Sequence, residues 1–156
     1  MESQPTEAPP LDRTAGRVLL VDEFGAVLLF RGRDVTRPDL APWWFTPGGG
    51  ADPGESTADA ARRELREETG LAVDGLGPVV HSRRTEFAFE GVAIRQHEEF
   101  FLVRTTRFVP VADGWNDTER RSLLGHRWWS LDDLGGVGET VYPEGLAELL
   151  RSLLGD

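Results

Sequence analysis

Apolar positions in this chain come in short runs separated by turn-forming residues. Val18–Val21 and Ala26–Phe30 flank Asp22-Glu23-Phe24-Gly25, which predicts a β-hairpin. Trp43-Trp44-Phe45-Thr46 reads as a short strand stopped by Pro47 and Gly48–Gly50. Residues 78–89 and 92–104 predict a second hairpin that turns near Glu90-Gly91, with strands rich in Val, Ile and Phe. The period becomes helical twice. Over residues 56–69, Ser56 and Asp59 resemble a capping box and Gly70 suits the left-handed residue that ends a helix. Over residues 143–154, Leu146, Leu149, Leu150, Leu153 and Leu154 fall on one helical stripe, Pro143 suits the first turn and Gly155 ends it. Between these lie polar loops at 31–42 and 110–117, a helical turn at 118–124 and a strand at 127–130. Ser130 caps a short helix at 131–134, and Gly135, Gly136 and Gly138 form a linker.

Residues 1–12 carry three prolines and little to bury, and read as a disordered tail. The remainder, 13–156, reads as one domain without repeats. Its order of strands, helix, strands, helix predicts an α/β fold with helices packed on a mixed sheet. No apolar run approaches the ~20 residues that span a bilayer, and no secretory signal opens the chain, so a cytoplasmic protein without a membrane partner is expected.

Composition narrows the chemistry. All 17 basic residues are Arg, and Lys and Cys are absent. That excludes Schiff-base catalysis, a phosphate-loop Lys, disulfides and thiol nucleophiles. The three His residues, 81, 97 and 126, show no paired metal spacing. The net charge of −10 argues against an extended nucleic-acid partner, which requires a basic face.

One acidic cluster has a geometry. On a helical wheel of about 100° per residue with Ala60 at zero, Glu67 lies near about −20°, Glu64 near about 40° and Glu68 near about 80°. Ala61, Leu65 and Ala58 form the stripe to be buried beside that arc. Carboxylates crowded on one arc repel and raise one another's pKa values unless a cation joins them. Hard oxygen donors of this kind suit Mg²⁺ or Mn²⁺. The plainer reading is a solvated acidic face balanced by Arg62, Arg63 and Arg66. The glycines before the helix let backbone approach a ligand closely, and Glu55 stands at the loop–helix junction.

Gly49, Glu55, Arg63-Glu64-Leu65, Glu67-Glu68 and Gly70-Leu71 together resemble the Nudix box at every defined position, and Trp43–Gly50 resembles the run that precedes it. The resemblance implies an α/β/α sandwich with a mixed sheet and a loop–helix–loop catalytic element. It implies hydrolysis of a nucleoside diphosphate linked to another moiety, with Mg²⁺ or Mn²⁺ as cofactor. Carried onto this chain, Glu64, Glu67 and Glu68 would bind the metal, Gly49 would offer a carbonyl, and Glu55 would support a further metal or the loop. Arg63 would orient the carboxylates. The general base is open among Glu64, Glu98, Glu99 and Glu119; resemblance favours Glu98 as a further ligand or base. Arg31, Arg83 and Arg95 are candidates for substrate phosphates. Family habit allows a homodimer. The alternative is a Nudix-type module that binds a nucleotide without cleaving it, although no box carboxylate is lost here.

Overall fold

A computed structural model describes residues 9–111 and 114–155. The predicted tail therefore lies mostly outside the described residues, but its last two positions belong to the fold. Strand β1 runs Leu11–Val21 and is followed by β2, Val27–Gly32, β3, Trp43–Phe45, and β4, Gly48–Gly50. Helix α1 spans Thr57–Thr69. The second hairpin comprises β5, Val79–Phe89, and β6, Val92–Arg104, turning through Glu90 and Gly91, both at positive φ. Then come α2, Asp117–Ser122, β7, Leu123–Trp129, α3, Leu131–Gly135, β8, Thr140–Tyr142, and α4, Leu146–Leu154.

The strands join in the order β5-β6-β1-β2-β3-β8, with β4 added to β1 and β7 to β2. The sheet is mixed: β1 runs parallel to β6 along its full length, and β3 parallel to β8. β1 and β2 meet only at Val21 and Val27. Beyond that point β1 pairs with β4, at Ala15–Arg17, while β2 pairs with β3 and β7. The sheet therefore splits into two wings. The tip of the second hairpin reaches the far wing, where Glu90 N–H donates to Asp34 and Phe89 packs edge-on to Trp43.

Period-two alternation sends side chains to opposite faces of these strands. On one face Val18, Leu20, Leu28, Phe30 and Phe101 enclose Ala61 and Leu65 of α1 together with Trp115. On the other face Leu19, Val21, Leu29, Trp44 and Phe100 pack against Leu134 of α3 and Leu146, Ala147 and Leu150 of α4. Helices thus cover both faces, the α/β/α arrangement expected.

Several boundaries differ from those predicted. Gly48–Gly50 is itself a strand, because it fits a slot closed to larger residues: a Cβ on Gly48 would lie 2.3 Å from the Gly16 carbonyl oxygen. β7 begins at Leu123 rather than 127, pairing with β2. β8 has no alternation in three residues and was not foreseen. α4 begins at Leu146, not at Pro143; Gly145 at φ 73° turns the chain into the helix, and Pro143 belongs to the segment leaving β8.

Candidate metal centre and catalytic loop

α1 starts where Ser56 Oγ accepts the N–H of Asp59, and ends where Gly70, left-handed, donates its N–H to the Arg66 carbonyl. Its Ala-rich face lies against β1 at Gly16, where any Cβ would fall 1.9 Å from the Thr57 carbonyl oxygen. That close approach brings Glu64 and Glu68 up to β4. Gly49 permits it, since a Cβ there would lie 2.7 Å from the Glu64 carboxyl carbon.

Glu68 is 2% exposed and accepts the Gly48 N–H at 2.7 Å. Glu64 accepts from Arg63 Nη1 at 2.8 Å. Arg63 also donates Nε and Nη2 to Glu55, at 3.0 and 2.9 Å, and Nη2 to the Gly50 carbonyl at 3.1 Å. One guanidinium therefore ties the loop, the junction carboxylate and the helix together. Arg63, followed by the Asp52 N–H, holds the Glu55 carboxyl down at about 2, and Glu55 in turn raises the pKa of Arg63.

The third member of the cluster comes from α2. Oxygens of Glu64, Glu68 and Glu119 lie within 4.8 Å of one another. Glu119 reaches them because the preceding segment docks on the end of α1. Trp115 Nε1–H donates to the Glu68 carbonyl at 3.0 Å, and its ring meets Phe30 edge-on at 5.1 Å. Gly114 lies so close that a Cβ would sit 2.4 Å from the Glu67 carbonyl oxygen. A reciprocal capping box between Asn116 and Glu119 then fixes the first turn of α2.

The cluster is electrostatically uneasy by itself. Burial raises the Glu64 carboxyl above its ordinary value, Arg63 opposing and Glu119 and Glu67 adding to the rise. Burial, then the charge of Glu64, pushes Glu68 well above the ordinary carboxylate range despite its Gly48 N–H. Three convergent hard oxygens, two of them on carboxyls that burial holds above their ordinary values, are the donor set a divalent cation relieves. The residues present fit such an ion.

The other expected site residues are placed as follows. Glu67 stands outside the trio, its side chain 42% exposed and 3.5 Å from Arg63 Nη1, consistent with its separation from Glu68 around the helix. Glu98 lies on the sheet face opposite α1. It accepts from Arg17 at 2.8 Å and makes a short bond with Arg83. Burial would raise its pKa, but Arg17 and Arg83 outweigh burial and hold it low. Glu99 faces α1 and accepts from Thr57 Oγ1 at 2.7 Å. The three candidate phosphate-binding arginines all have carboxylate partners: Arg31 with Glu139, Arg83 with Glu98 and Glu144, and Arg95 with Asp12. Sequence reasoning did not single out Arg17 or Gly16, whose roles depend on contacts across the fold.

A family model for the NUDIX domain matches residues 10–153. The chain belongs to this family. An RNA pyrophosphohydrolase from Bradyrhizobium diazoefficiens is 35% identical over 60% of the chain and 62% of its own length. A putative 8-oxo-dGTP diphosphatase from Bacillus subtilis is 45% identical over 34% of the chain and 32% of its own length. The chain thus spans less than two thirds of these curated relatives. Among solved Nudix folds, the MutT protein of Methanosarcina mazei Go1 superposes with a TM-score of 0.69 over 96% of this chain and 97% of that one, at 20% identity. No helix among the described residues is long and apolar enough to cross a membrane.

Proposed function

We propose that the chain is a divalent-cation-dependent pyrophosphohydrolase acting on a nucleoside diphosphate linked to another moiety. The observation that carries this reading is the convergence of Glu64, Glu68 and Glu119 beside the Gly48–Gly50 strand. These three carboxylates would hold Mg²⁺ or Mn²⁺, and Glu67 and the Gly49 carbonyl are the further donors we assign to it. When bound, such an ion neutralises diphosphate oxygens and lowers the pKa of water.

This chain's own groups do the rest. Arg63 fixes Glu64 and Glu55 in one arrangement, so the site is organised before substrate arrives. The Gly48 N–H fixes the Glu68 carboxylate. Glu64, whose pKa is raised, is the proton acceptor we assign for the water that attacks phosphorus in line. Glu98 is unsuited to that role, since Arg17 and Arg83 hold it ionised and occupy its oxygens. The names of the relatives, an RNA pyrophosphohydrolase and a putative 8-oxo-dGTP diphosphatase, support including RNA and nucleoside triphosphates in the substrate range.

The test is a screen of nucleoside diphosphate derivatives, nucleoside triphosphates and 5′-triphosphorylated RNA with Mg²⁺ or Mn²⁺, with product identification. Release of a mononucleotide or of pyrophosphate, lost in Glu68→Gln, supports the reading. No turnover of any compound, or equal turnover by Glu68→Gln, contradicts it.

A further inference from the structure

β5 lies at one end of the sheet, and among the described strands it pairs only with β6. Its other edge is open. Native sheets blunt such edges with short strands, Pro, Lys or bulges. β5 has 11 residues and neither Pro nor Lys. Its register shift lies between Val79 and His81, so the ladder beyond is regular to Phe89. An open ladder of this kind is a template for a further strand.

The hairpin fixes which backbone groups face outward. Its turn is Glu90-Gly91, both at positive φ, so the flanking residues Phe89 and Val92 form a hydrogen-bonded pair. Alternation from that pair turns the N–H and C=O of Phe87, Thr85 and Arg83 toward β6 and those of Ala88, Glu86, Arg84 and Ser82 away from it. The outward set is exposed and shares the sheet face of α1, since Ser82 pairs with Glu99, which bonds Thr57 of that helix. Arg83 and Arg95 nearby are paired to carboxylates. Arg84 and Glu86 make no hydrogen bond or ion pair with any described residue. They border an open groove of about 790 Å³ between the sheet and residues 52–55.

We propose that β5 is the interface of a homodimer, in which two copies of β5 run antiparallel about a two-fold axis at Thr85 and join both sheets into one. The interface of a two-fold dimer must be complementary to itself. Of the registers that let outward groups pair, those centred on Arg84 or on Glu86 set like charges opposite each other, which destabilises. The register centred on Thr85 sets Arg84 opposite Glu86 of the partner subunit, and by symmetry Glu86 opposite Arg84 of the partner subunit. Both then stand at hydrogen-bonded positions, as does Ser82 opposite Ala88. On the other face the same register sets Phe87, 39% exposed, opposite Arg83 and covers its ring. Charge complementarity thus selects a second copy of this chain, in one register, as the occupant of the edge.

Sedimentation velocity of the full-length chain over a concentration series tests it. Wild type should dimerise. Arg84→Glu and Glu86→Arg should each raise the dimer Kd by about 10- to 100-fold, because each turns two cross-strand attractions into repulsions. An equimolar mixture of these two variants should regain wild-type association, since in the mixed pair every charge meets its opposite. The double variant Arg84→Glu/Glu86→Arg should regain it as well. A wild type that stays monomeric at about 1 mM overturns the inference and leaves the edge to a strand of another protein. So does a dimer indifferent to both single variants, or a mixture that stays monomeric while circular dichroism shows both variants folded.

Discussion

Glu55 and Glu68 are ionisable groups of opposite character in one loop–helix element. Glu55 is held ionised by Arg63, its carboxyl lying at about 2 against an ordinary value of 4.5. A depressed folded pKa stabilises above the ordinary carboxyl range and loses that contribution as pH falls through the folded value. Chemical denaturation of Glu55→Gln should therefore show lower stability than wild type at neutral pH, with the gap closing between about pH 4.5 and 2. A gap independent of pH would contradict the pairing. Glu68 is the reverse case, raised by burial and by Glu64. Its ionisation costs nothing below the ordinary carboxyl range and a growing amount as pH rises toward the folded value. Metal-free Glu68→Gln should thus melt above wild type at neutral pH and match it in acid. Mg²⁺ should raise the melting temperature of wild type but not of the variant, and hydrolysis should fall by roughly 10²–10³-fold, as when a positioned electrostatic partner is lost.

At the scale of elements, the metal cluster depends on how α2 is delivered to α1. Trp115 is 6% exposed and hydrogen-bonds the Glu68 carbonyl from outside the helix. Trp115→Ala should cost about 3–5 kcal/mol in denaturant unfolding. It should also weaken Mn²⁺ binding by roughly 10–100-fold, the effect of losing a group that orients a ligand. Unchanged Mn²⁺ affinity in the folded variant would show that Trp115 does not position Glu119. These contacts explain what could be read from the chain in advance. α1 was legible because its signals are local: Ser56, the Ala58–Ala61–Leu65 stripe and Gly70. Both hairpins were legible from their β-branched runs and turn residues. β4 was not, because three glycines carry no pattern and the slot that needs them is formed by Gly16, Arg17 and Glu64. The start of α4 was misjudged because Pro143 suits a helix start equally well, while Gly145 at positive φ makes the turn. The fourth carboxylate was ambiguous for a related reason. Glu98 and Glu99 sit in a strand buried on both faces, so alternation alone could not say which of them faces α1. The decision rested on Arg17 and Trp115, far away in sequence.

For the whole molecule, the two faces of the split sheet divide the labour. The face under α3 and α4 carries a core centred on Leu150, fully buried, and on the perpendicular ring pair Trp44–Trp129. The face under α1 carries the carboxylates. Leu150→Ala should cost about 2–5 kcal/mol in unfolding experiments. It should leave Mn²⁺ affinity of the folded protein within about twofold of wild type, since distant sites without shared partners act independently. A large loss of Mn²⁺ affinity would mean that the two faces are coupled. The net charge of −10 is consistent with this division. It disfavours an extended polyanion over the surface as a whole, but a cation among Glu64, Glu68 and Glu119 reverses the local sign and lets a small diphosphate approach.

The most direct test of the central claim is the position of Mn²⁺ in a crystal of the protein, read from its anomalous signal. The expected result is a peak bounded by Glu64, Glu68 and Glu119, with Glu98 still paired to Arg17 and Arg83. A peak at Glu98, or none near Glu68 and Glu119 in a Mn²⁺-saturated crystal, would contradict it.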